Sequence, residues 1–344
     1  MALLSRTAEN LFWIGRYVER AENMARLLET GKRMSAVPTD DEVQPEWEPV
    51  LSAAGVLHQF NAEYDTINQR NAVDFVAFSR DNPSSIVSTI AAARANARSI
   101  RTAFTIDMWE AINEFWLSIR DIEAITPGQG HLIPFLDQVK QNCALFRGVS
   151  ESTALRNDGY DFLRLGMFIE RADCTARILD VKYFALLDPQ EEVAGSVDTY
   201  QWAVILRATS SLRSFNWVYG CGYDLDNIVD FLVLNTQSPR SLAYCIENVT
   251  RHLDRLSRLY AERHDCHEIC ASIQSELNSN GAEEIIQEGL HEFLTRFVAR
   301  NNWLSTQIGR DYHFASMAAL GAEAELEVLA DERSAEPPVT QAQS

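Results

Sequence analysis

The chain has 344 residues, of which 46% are hydrophobic and 23% are charged, so it can bury a sizeable core and is not disordered as its main state. Its 49 acidic and 30 basic residues give a net charge of −19, which repels nucleic-acid phosphates and anionic lipid. No Lys/Arg run offsets this charge, and we therefore expect no nucleic acid and no membrane among the partners.

The sequence also predicts a cytoplasmic location. No apolar stretch reaches the roughly 18 to 20 residues that span a bilayer. Arg6 and Glu9 interrupt the one stretch that resembles a signal peptide. The six cysteines are scattered through apolar helical patterns, which is typical of reduced, packed thiols and not of a disulfide framework.

The spacing of apolar residues predicts an all-α fold. Only 15 glycines and 10 prolines occur, in clusters, and between them apolar residues recur every three and four positions. In chain order, we expect helices over 3–34, 46–67, 71–80, 84–118, 132–147, 158–187, 198–219, 224–235, 240–278 and 282–308.

The first helix carries two apolar seams with a seven-residue repeat, which predict a helix packed along its length in a bundle. The seams consist of Leu4, Leu11, Val18 and Ala25, and of Thr7, Ile14, Ala21 and Leu28.

An internal repeat relates the two halves of the chain. The segment that starts at Gly15, GRYVERAENMARLL, matches the segment that starts at Gly166, GMFIERADCTARIL, with seven identities in fourteen positions. The match continues with Trp47 on Trp202, and then with FVAFSRDNPSSI from position 75 on FLVLNTQSPRSL from position 231. We expect two helical halves, about 1–148 and 149–314, packed about a pseudo-two-fold axis in one core.

The repeat leads to two further expectations. Gly15 and Gly166 occupy equivalent positions, so the helices that carry them are expected to meet there in close contact. After residue 314 the helical pattern ends in thirty residues with six acids and no aromatic. We therefore expect a helical domain over 1–314 and a disordered acidic tail over 315–344.

The repeated Glu-Arg pairs are the main candidate site. Both halves have them, as Glu19 and Arg20 and as Glu170 and Arg171. One interpretation is structural, with reciprocal ion pairs from Glu19 to Arg171 and from Glu170 to Arg20. A second is a cleft that binds the carboxylate or phosphate of a substrate, because Arg bonds such groups with two hydrogen bonds. A third is a solvated face.

Two further arginines accompany the motif. Arg26 and Arg177 lie four residues after Glu22 and Asp173, which is the favourable order for a surface pair on a helix. They complete the candidate cleft.

Other polar residues offer weaker candidates for binding. Arg94, Asn96 and Arg98 put guanidinium and amide groups on one predicted helix and could form a pocket wall. Arg156 precedes a helix expected to begin near Asp158, where it could help to bind an anion. The polar residues beside it could instead cap that helix, and this is the interpretation that we favour.

No metal and no cofactor is expected. The segment ERHDCHEIC holds His264 and Glu268 four residues apart, but one helix offers at most two or three ligands on one side and the first half has no matching set. Cys143, Cys174 and Cys245 lie in apolar surroundings without an evident His partner, so we expect core residues and not nucleophiles.

Three segments resemble the bacterial alpha-E family, an all-helical domain named for its Glu-Arg motif, over residues 1–314. They are LLSRTAENLFWIGRYVERAENMARLLE at the N-terminus, NPSSIVSTIAAARANARSIR from position 82 and ALFRGVSESTALRNDGYDFLRLGMFIERADCTARILD from position 144. The resemblance implies two partners, a circularly permuted ATP-grasp amide ligase and a transglutaminase-like peptidase, in the synthesis or modification of a peptide or amide product.

Three functions are compatible with these features. The leading hypothesis is an accessory helical protein that presents substrate or product to the ATP-grasp ligase, because the chain has no glycine-rich phosphate loop or strand pattern of its own. The second is an enzyme that acts on an amide or peptide through a Glu/Arg cleft. The third is an assembly scaffold without a small-molecule site.

Overall fold

The computed structural model describes residues 3–34, 47–120, 131–186 and 196–314, and these residues form helices and connecting turns without any strand. The α-helices, in chain order, are α1 Ser5–Met34, α2 Glu48–Ala53, α3 Leu57–Glu63, α4 Gln69–Val73, α5 Ile86–Ser99, α6 Ile106–Ile119, α7 Leu132–Thr153, α8 Asp158–Leu186, α9 Ser196–Ala208, α10 Leu212–Tyr219, α11 Leu225–Val229, α12 Leu242–Tyr260, α13 Asp265–Ser279, α14 Ala282–Glu288 and α15 Leu290–Asp311. The prediction of an all-α protein is confirmed.

Helices α1 and α8 form the centre of the bundle. They pack against each other along their length, and both are covered on other sides: α1 by α5, α7 and α9, and α8 by α12, α15 and α2. A helix surrounded in this way buries more than one apolar stripe. Polar residues of α1 outside the two seams, Glu19 and Glu22 among them, are therefore buried with the core.

Gly15 and Gly166 lie where the backbones of α1 and α8 are in close contact. A Cβ atom on Gly15 would lie 2.2 Å from the carbonyl oxygen of Leu163, and one on Gly166 would lie 2.0 Å from the carbonyl oxygen of Phe12. Only glycine allows backbones to approach so closely. The predicted contact between the two helices at these glycines is confirmed.

Matched local features occur at aligned positions of the two halves. A π-helical turn follows α4 at Asp74–Phe78, and another follows α11 at Asp230–Leu234. Ser85 caps α5 by accepting a hydrogen bond from the amide of Ser88 at 3.1 Å, and Ser241 caps α12 in the same way. These features agree with a duplication, while the pseudo-two-fold axis stays a prediction.

Five predicted helices are interrupted in the structure. Two breaks occur at non-glycine residues in the left-handed region, Ser210 with a φ of 56° and Ala261 with a φ of 55°. The breaks fall at Gly55, Arg101–Ala103, Ser210, Ala261 and Gly289. In the opposite direction, α7 continues to Thr153, beyond the predicted end at 147.

The predicted seam is wrong at its first position. Leu4 is 76% exposed because α1 begins only after it, at Ser5. The other predicted members of the apolar seams in α1 lie inside the helix, and Leu11, Val18 and Ala25 are buried.

Two further expectations concern parts of the chain that the structure covers only partly or not at all. The predicted tail, 315–344, lies outside the described residues, and the boundary at 314 stays a prediction. Among the helices of the described ranges, none combines the length and apolarity that a bilayer crossing requires.

Candidate functional site

The Glu-Arg motifs of α1 and α8 face each other at the centre of the bundle. Arg171 donates to both oxygens of Glu19, from Nε to Oε1 at 2.8 Å and from Nη2 to Oε2 at 3.0 Å. Arg20 donates to both oxygens of Glu170, from Nε to Oε1 at 2.5 Å and from Nη2 to Oε2 at 3.0 Å. The predicted reciprocal ion pairs are confirmed, and both are of the strong, two-bond kind.

Glu19 belongs to a larger group that we call the first cluster: Glu19, Glu22, Arg26, Arg147, Arg171 and Arg240. Glu22 accepts from Arg26 Nε at 2.9 Å and from Arg240 Nη2 at 2.8 Å, and it also contacts Arg147. The interpretation of Glu22 and Arg26 as a surface pair is wrong, because Glu22 is fully buried. Four guanidiniums surround two carboxylates, an excess of two positive charges.

Glu170 belongs to a second cluster: Glu170, Asp173, Arg16, Arg20 and Arg177. Arg16 adds a hydrogen bond from Nε to Glu170 Oε2 at 2.8 Å, and its Nη1 donates to Ser305 at 2.7 Å. Arg177 donates to both oxygens of Asp173, at 2.7 and 3.3 Å. Three guanidiniums here face two carboxylates, an excess of one positive charge.

The carboxylates of both clusters are held in their ionised form. Burial opposes ionisation of Glu170, but the Arg20 and Arg16 guanidiniums outweigh it and lower the pKa to about 2. Burial is likewise outweighed by Arg240 and the neighbouring guanidiniums at Glu22, whose pKa falls to about 2. The pKa of Glu19 is also lowered, chiefly by Arg171. None of the three carboxyls therefore carries a proton near neutral pH.

A cavity of about 160 Å³ opens beside the second cluster. Asn23 lines it and is only 2% exposed, yet within the described part of the chain neither its Oδ1 nor its Nδ2 has a hydrogen-bond partner. A buried amide without partners is rare, and it points to a ligand or to ordered water. The wall consists of Arg16, Arg20, Asn23, Met24, Leu27, Ala53, Ala54, Gly55, Ser84, Glu170, Asp173, Cys174, Arg177 and Asn302.

Three other candidates on α5 lie outside both clusters. Arg94 donates from Nε to Asn113 at 2.9 Å, and its guanidinium lies 5.9 Å from the ring centre of Trp109. Arg98 is exposed, and the backbone carbonyl of Asn96 accepts a hydrogen bond within α5. These contacts give Arg94 a packing role between α5 and α6.

Arg156 also lies away from the clusters, between α7 and α8. Its guanidinium lies 4.1 Å from the ring centre of Tyr160, and its Nη2 donates to the carbonyl of Glu151 at 2.6 Å. Asn157 Oδ1 accepts from the amide of Tyr160 at 3.2 Å, which caps the first turn of α8. Asp158 Oδ2 accepts from the amide of Leu3. The segment between the two halves thus caps a helix, as the favoured interpretation predicted.

The cysteines of the motif helices and their neighbours are core residues. Cys143, Cys174 and Cys245 are buried. Burial raises the pKa of Cys245 to about 12 and the pKa values of the other two well above their ordinary value. These thiols are therefore not ionised at neutral pH, and a thiolate nucleophile is not available from them.

Across the described ranges, no three His, Cys, Asp or Glu side chains converge as a metal site would require. His264 lies directly before α13 and not on the same helix face as Glu268, contrary to the sequence interpretation. His267 is buried instead, where its ring contacts the carbonyl of Leu253 at 3.2 Å.

Several residues that complete the site were not predicted from the sequence. Arg16 and Asn23 lie on α1, one turn from Arg20 and Glu19 respectively. No local sequence pattern indicated that these two polar side chains are buried. Ser84 and Arg240 occupy one aligned position of the repeat, so the alignment could have indicated that they serve the two clusters differently.

Comparison with known proteins agrees with the fold and the motif. Uncharacterised proteins from Mycobacterium bovis and from two strains of Mycobacterium tuberculosis are each 23% identical over 268 residues, which cover 73% of this chain and 30% of the relative. The chain thus spans less than a third of the length of these relatives. No solved structure matches it. The Alpha-E family model, described as a predicted alpha-helical domain with a conserved ER motif, matches residues 3–313, and the chain therefore belongs to the Alpha-E family.

Proposed function

We propose that the protein is an accessory, substrate-presenting helical protein that works in the cytoplasm with an ATP-grasp amide ligase in peptide or amide synthesis or modification. The observation that carries the proposal is the cavity beside the second cluster, where the unpartnered Asn23 amide lies among guanidiniums that outnumber the carboxylates. A polar, positively charged cavity of this size suits a small carboxylic acid, which is one of the two substrates that an amide ligase joins.

Binding fits this site better than acid or base catalysis does. A general acid or base needs a pKa near the working pH, whereas the pKa values of Glu22 and Glu170 are held at about 2. Both carboxylates are also engaged by arginines, which leaves them fixed in place. The proposal therefore assigns the chemistry to the ligase and the recognition of substrate to this protein.

The ligase partner is proposed from the resemblance stated above, and so is a transglutaminase-like peptidase as a second partner. In the proposal, the ligase binds ATP and carries out the phosphoryl transfer, and the helical protein brings the acid to it. The cavity rim includes Gly55 and Asn302, which are exposed, so a bound acid would be accessible from the surface at that end.

A reconstitution experiment tests the proposal. The protein, an ATP-grasp amide ligase from the same organism and ATP are mixed with candidate acids and amines, and amide formation is measured with and without the protein. We expect the rate to rise when it is added. An unchanged rate, or turnover of amides by the protein alone, would contradict the accessory function.

The scaffold alternative is distinguished by a variant that fills the cavity. Ser84→Arg places a long side chain in the cavity, and we expect it to abolish the stimulation of the ligase, whereas the matched variant Ser84→Ala retains it. If Ser84→Arg supports the ligase fully, the protein acts as an assembly scaffold without a small-molecule site.

A further inference from the structure

We infer that the cavity beside the second cluster takes the C-terminal end of a short peptide or of an N-acylated amino acid, with its carboxylate on the arginines and its amide on Asn23. The inference rests on the proposed function, since this cavity is where the presented acid would bind. It adds the class of ligand, which the proposed function leaves open.

The charge of the wall selects a carboxylate. The guanidiniums of Arg16, Arg20 and Arg177 face only two carboxylates, Glu170 and Asp173. Within the described residues, one terminal nitrogen of each guanidinium makes no hydrogen bond: Nη2 of Arg16, Nη1 of Arg20 and Nη1 of Arg177. A single bound carboxylate would balance the excess charge and could accept from these nitrogens.

Asn23 selects an amide next to that carboxylate. Its side chain has one acceptor and two N–H donors, and a peptide group offers the complementary carbonyl and N–H. Asn23 lines the cavity, and both of its polar atoms are buried without a partner in the described part of the chain. An acid that lacks an amide would leave them unpaired, and such a site discriminates strongly against a ligand without the matching group.

A comparison of the two halves explains why the cavity exists. At the aligned position of the repeat, Ser84 lines the cavity, whereas Arg240 reaches into the first cluster and donates to Glu22. Asp173 likewise replaces the longer Glu22. The shorter side chains leave room beside the second cluster that the first cluster fills with its own arginine.

The space matches a ligand of this class. A single water needs about 10 to 15 Å³ of cavity volume. A cavity of about 160 Å³ therefore has room for roughly ten waters, or for one amino acid and part of the acyl group or residue that precedes it. Met24, Leu27, Ala53 and Ala54 supply apolar wall for a small side chain.

Calorimetric titration of the intact protein with three small probes tests the inference. The probes are N-acetylglycine, which has both groups, acetate, which has only the carboxylate, and N-acetylglycinamide, which has only amides. We expect N-acetylglycine to bind at least about tenfold more tightly than either of the others. Equal affinity for acetate would reduce the cavity to a simple anion site, and binding of N-acetylglycinamide alone would contradict the role of the arginines.

Variants of two cavity residues test whether the probes bind in this cavity. Asn23→Leu keeps the side-chain size, and we expect it to remove the preference for N-acetylglycine over acetate. Ser84→Arg should abolish binding of all three probes, while Ser84→Ala should not, and thermal melts of each variant verify that the protein is folded. Binding that survives Ser84→Arg would overturn the inference.

Failure of the inference differs from failure of the proposed function. If none of the three probes binds but the protein still stimulates the ligase, the accessory function holds and the ligand class is wrong. If N-acetylglycine binds as expected but the ligase is unaffected, the cavity is a ligand site that serves another process.

Discussion

Glu19 is the residue on which the first cluster depends most directly. It accepts two hydrogen bonds from Arg171, and Arg147 and Arg240 each lie 3.4 Å from one of its oxygens. All of these guanidiniums are largely or wholly removed from solvent, so a change at Glu19 alters the balance of several buried charges at once.

We expect Glu19→Gln to lower the free energy of unfolding by about 3–5 kcal/mol, because Arg171 is left as a buried charge without its counter-ion. Urea denaturation measures the change. The double variant Glu19→Gln with Arg171→Met should recover part of the loss. Glu247→Gln, at an exposed pair with Arg251, is the control and should cost less than about 1 kcal/mol. Equal losses at Glu19 and Glu247 would show that the cluster is not structural.

The lowered pKa values of the buried carboxyls predict how stability depends on pH. Glu22 and Glu170 have pKa values of about 2 in the folded protein against an ordinary value of 4.5. A group whose pKa is lowered by folding stabilises the protein above its unfolded pKa, and the stabilisation is lost as the pH falls through the folded value. We therefore expect the melting temperature to fall between about pH 4.5 and about pH 2.

The variant Glu170→Gln isolates this contribution. Its melting temperature, measured over the same range, should decline less steeply than that of the wild type, because one of the titrating groups is gone. Parallel curves would contradict the assignment of Glu170 as a buried, ionised carboxylate.

The reciprocal pairs were predictable and the cavity was not, for a physical reason. The repeat places Glu19 and Glu170 at equivalent points of two packed helices, and that alone suggests a cross-pair. Arg147 and Arg240 reach the first cluster from α7 and from the turn before α12, and contacts between residues so far apart in the chain leave no local pattern. The cavity beside the second cluster depends on the short side chain of Ser84. The importance of that short side chain becomes clear only in comparison with Arg240, which occupies the aligned position and reaches into the first cluster.

At the scale of elements, the contact between α1 and α8 depends on its two glycines. Replacing Gly15 with Ala would drive a Cβ into the backbone of α8, where no flexible side chain can move aside. We expect Gly15→Ala to destabilise the protein by about 1–3 kcal/mol or more, the usual cost of overpacking.

Gly148 is the matched control, since it lies inside α7 and a Cβ there would meet nothing within 4 Å. Gly148→Ala should stabilise the protein by about 0.5–1 kcal/mol through helix propensity. Chemical denaturation of both variants gives the comparison, and a neutral Gly15→Ala would mean that the helices do not meet there.

The long helices could be predicted because their signal is local. Apolar spacing over thirty residues fixes α1 and α8 to within two residues, and the caps at Ser85 and Ser241 agree with the starts of α5 and α12. The breaks at Ser210 and Ala261 could not be predicted, because both residues have a left-handed backbone that neither residue type favours.

At the scale of the whole molecule, the family match ends at residue 313 and the described chain ends at Phe314. Phe314 is buried, and its ring lies 5.5 Å from Phe12 and 5.9 Å from Phe162. The last described residue is thus part of the core of the bundle.

We expect removal of residues 315–344 to leave the melting temperature nearly unchanged, because that segment has little apolar area to bury. Phe314→Ala in the shortened chain should instead cost about 3–5 kcal/mol, since it removes a buried aromatic ring. Differential scanning calorimetry of the two proteins decides the matter, and a fall of many degrees on truncation alone would show that the tail packs.

The pairing of α1 with α8 also has a consequence for how the chain is made. Arg171 leaves the ribosome about 150 residues after its partner Glu19, which at about 5–20 residues per second is a delay of roughly 8–30 s. During that interval α1 can form a helix, but its central carboxylates have no counter-ions from α8. The face of α1 that carries Gly15 also has no α8 to pack against. The helix that is synthesised first therefore gains these contacts only after the second half of the chain has been synthesised.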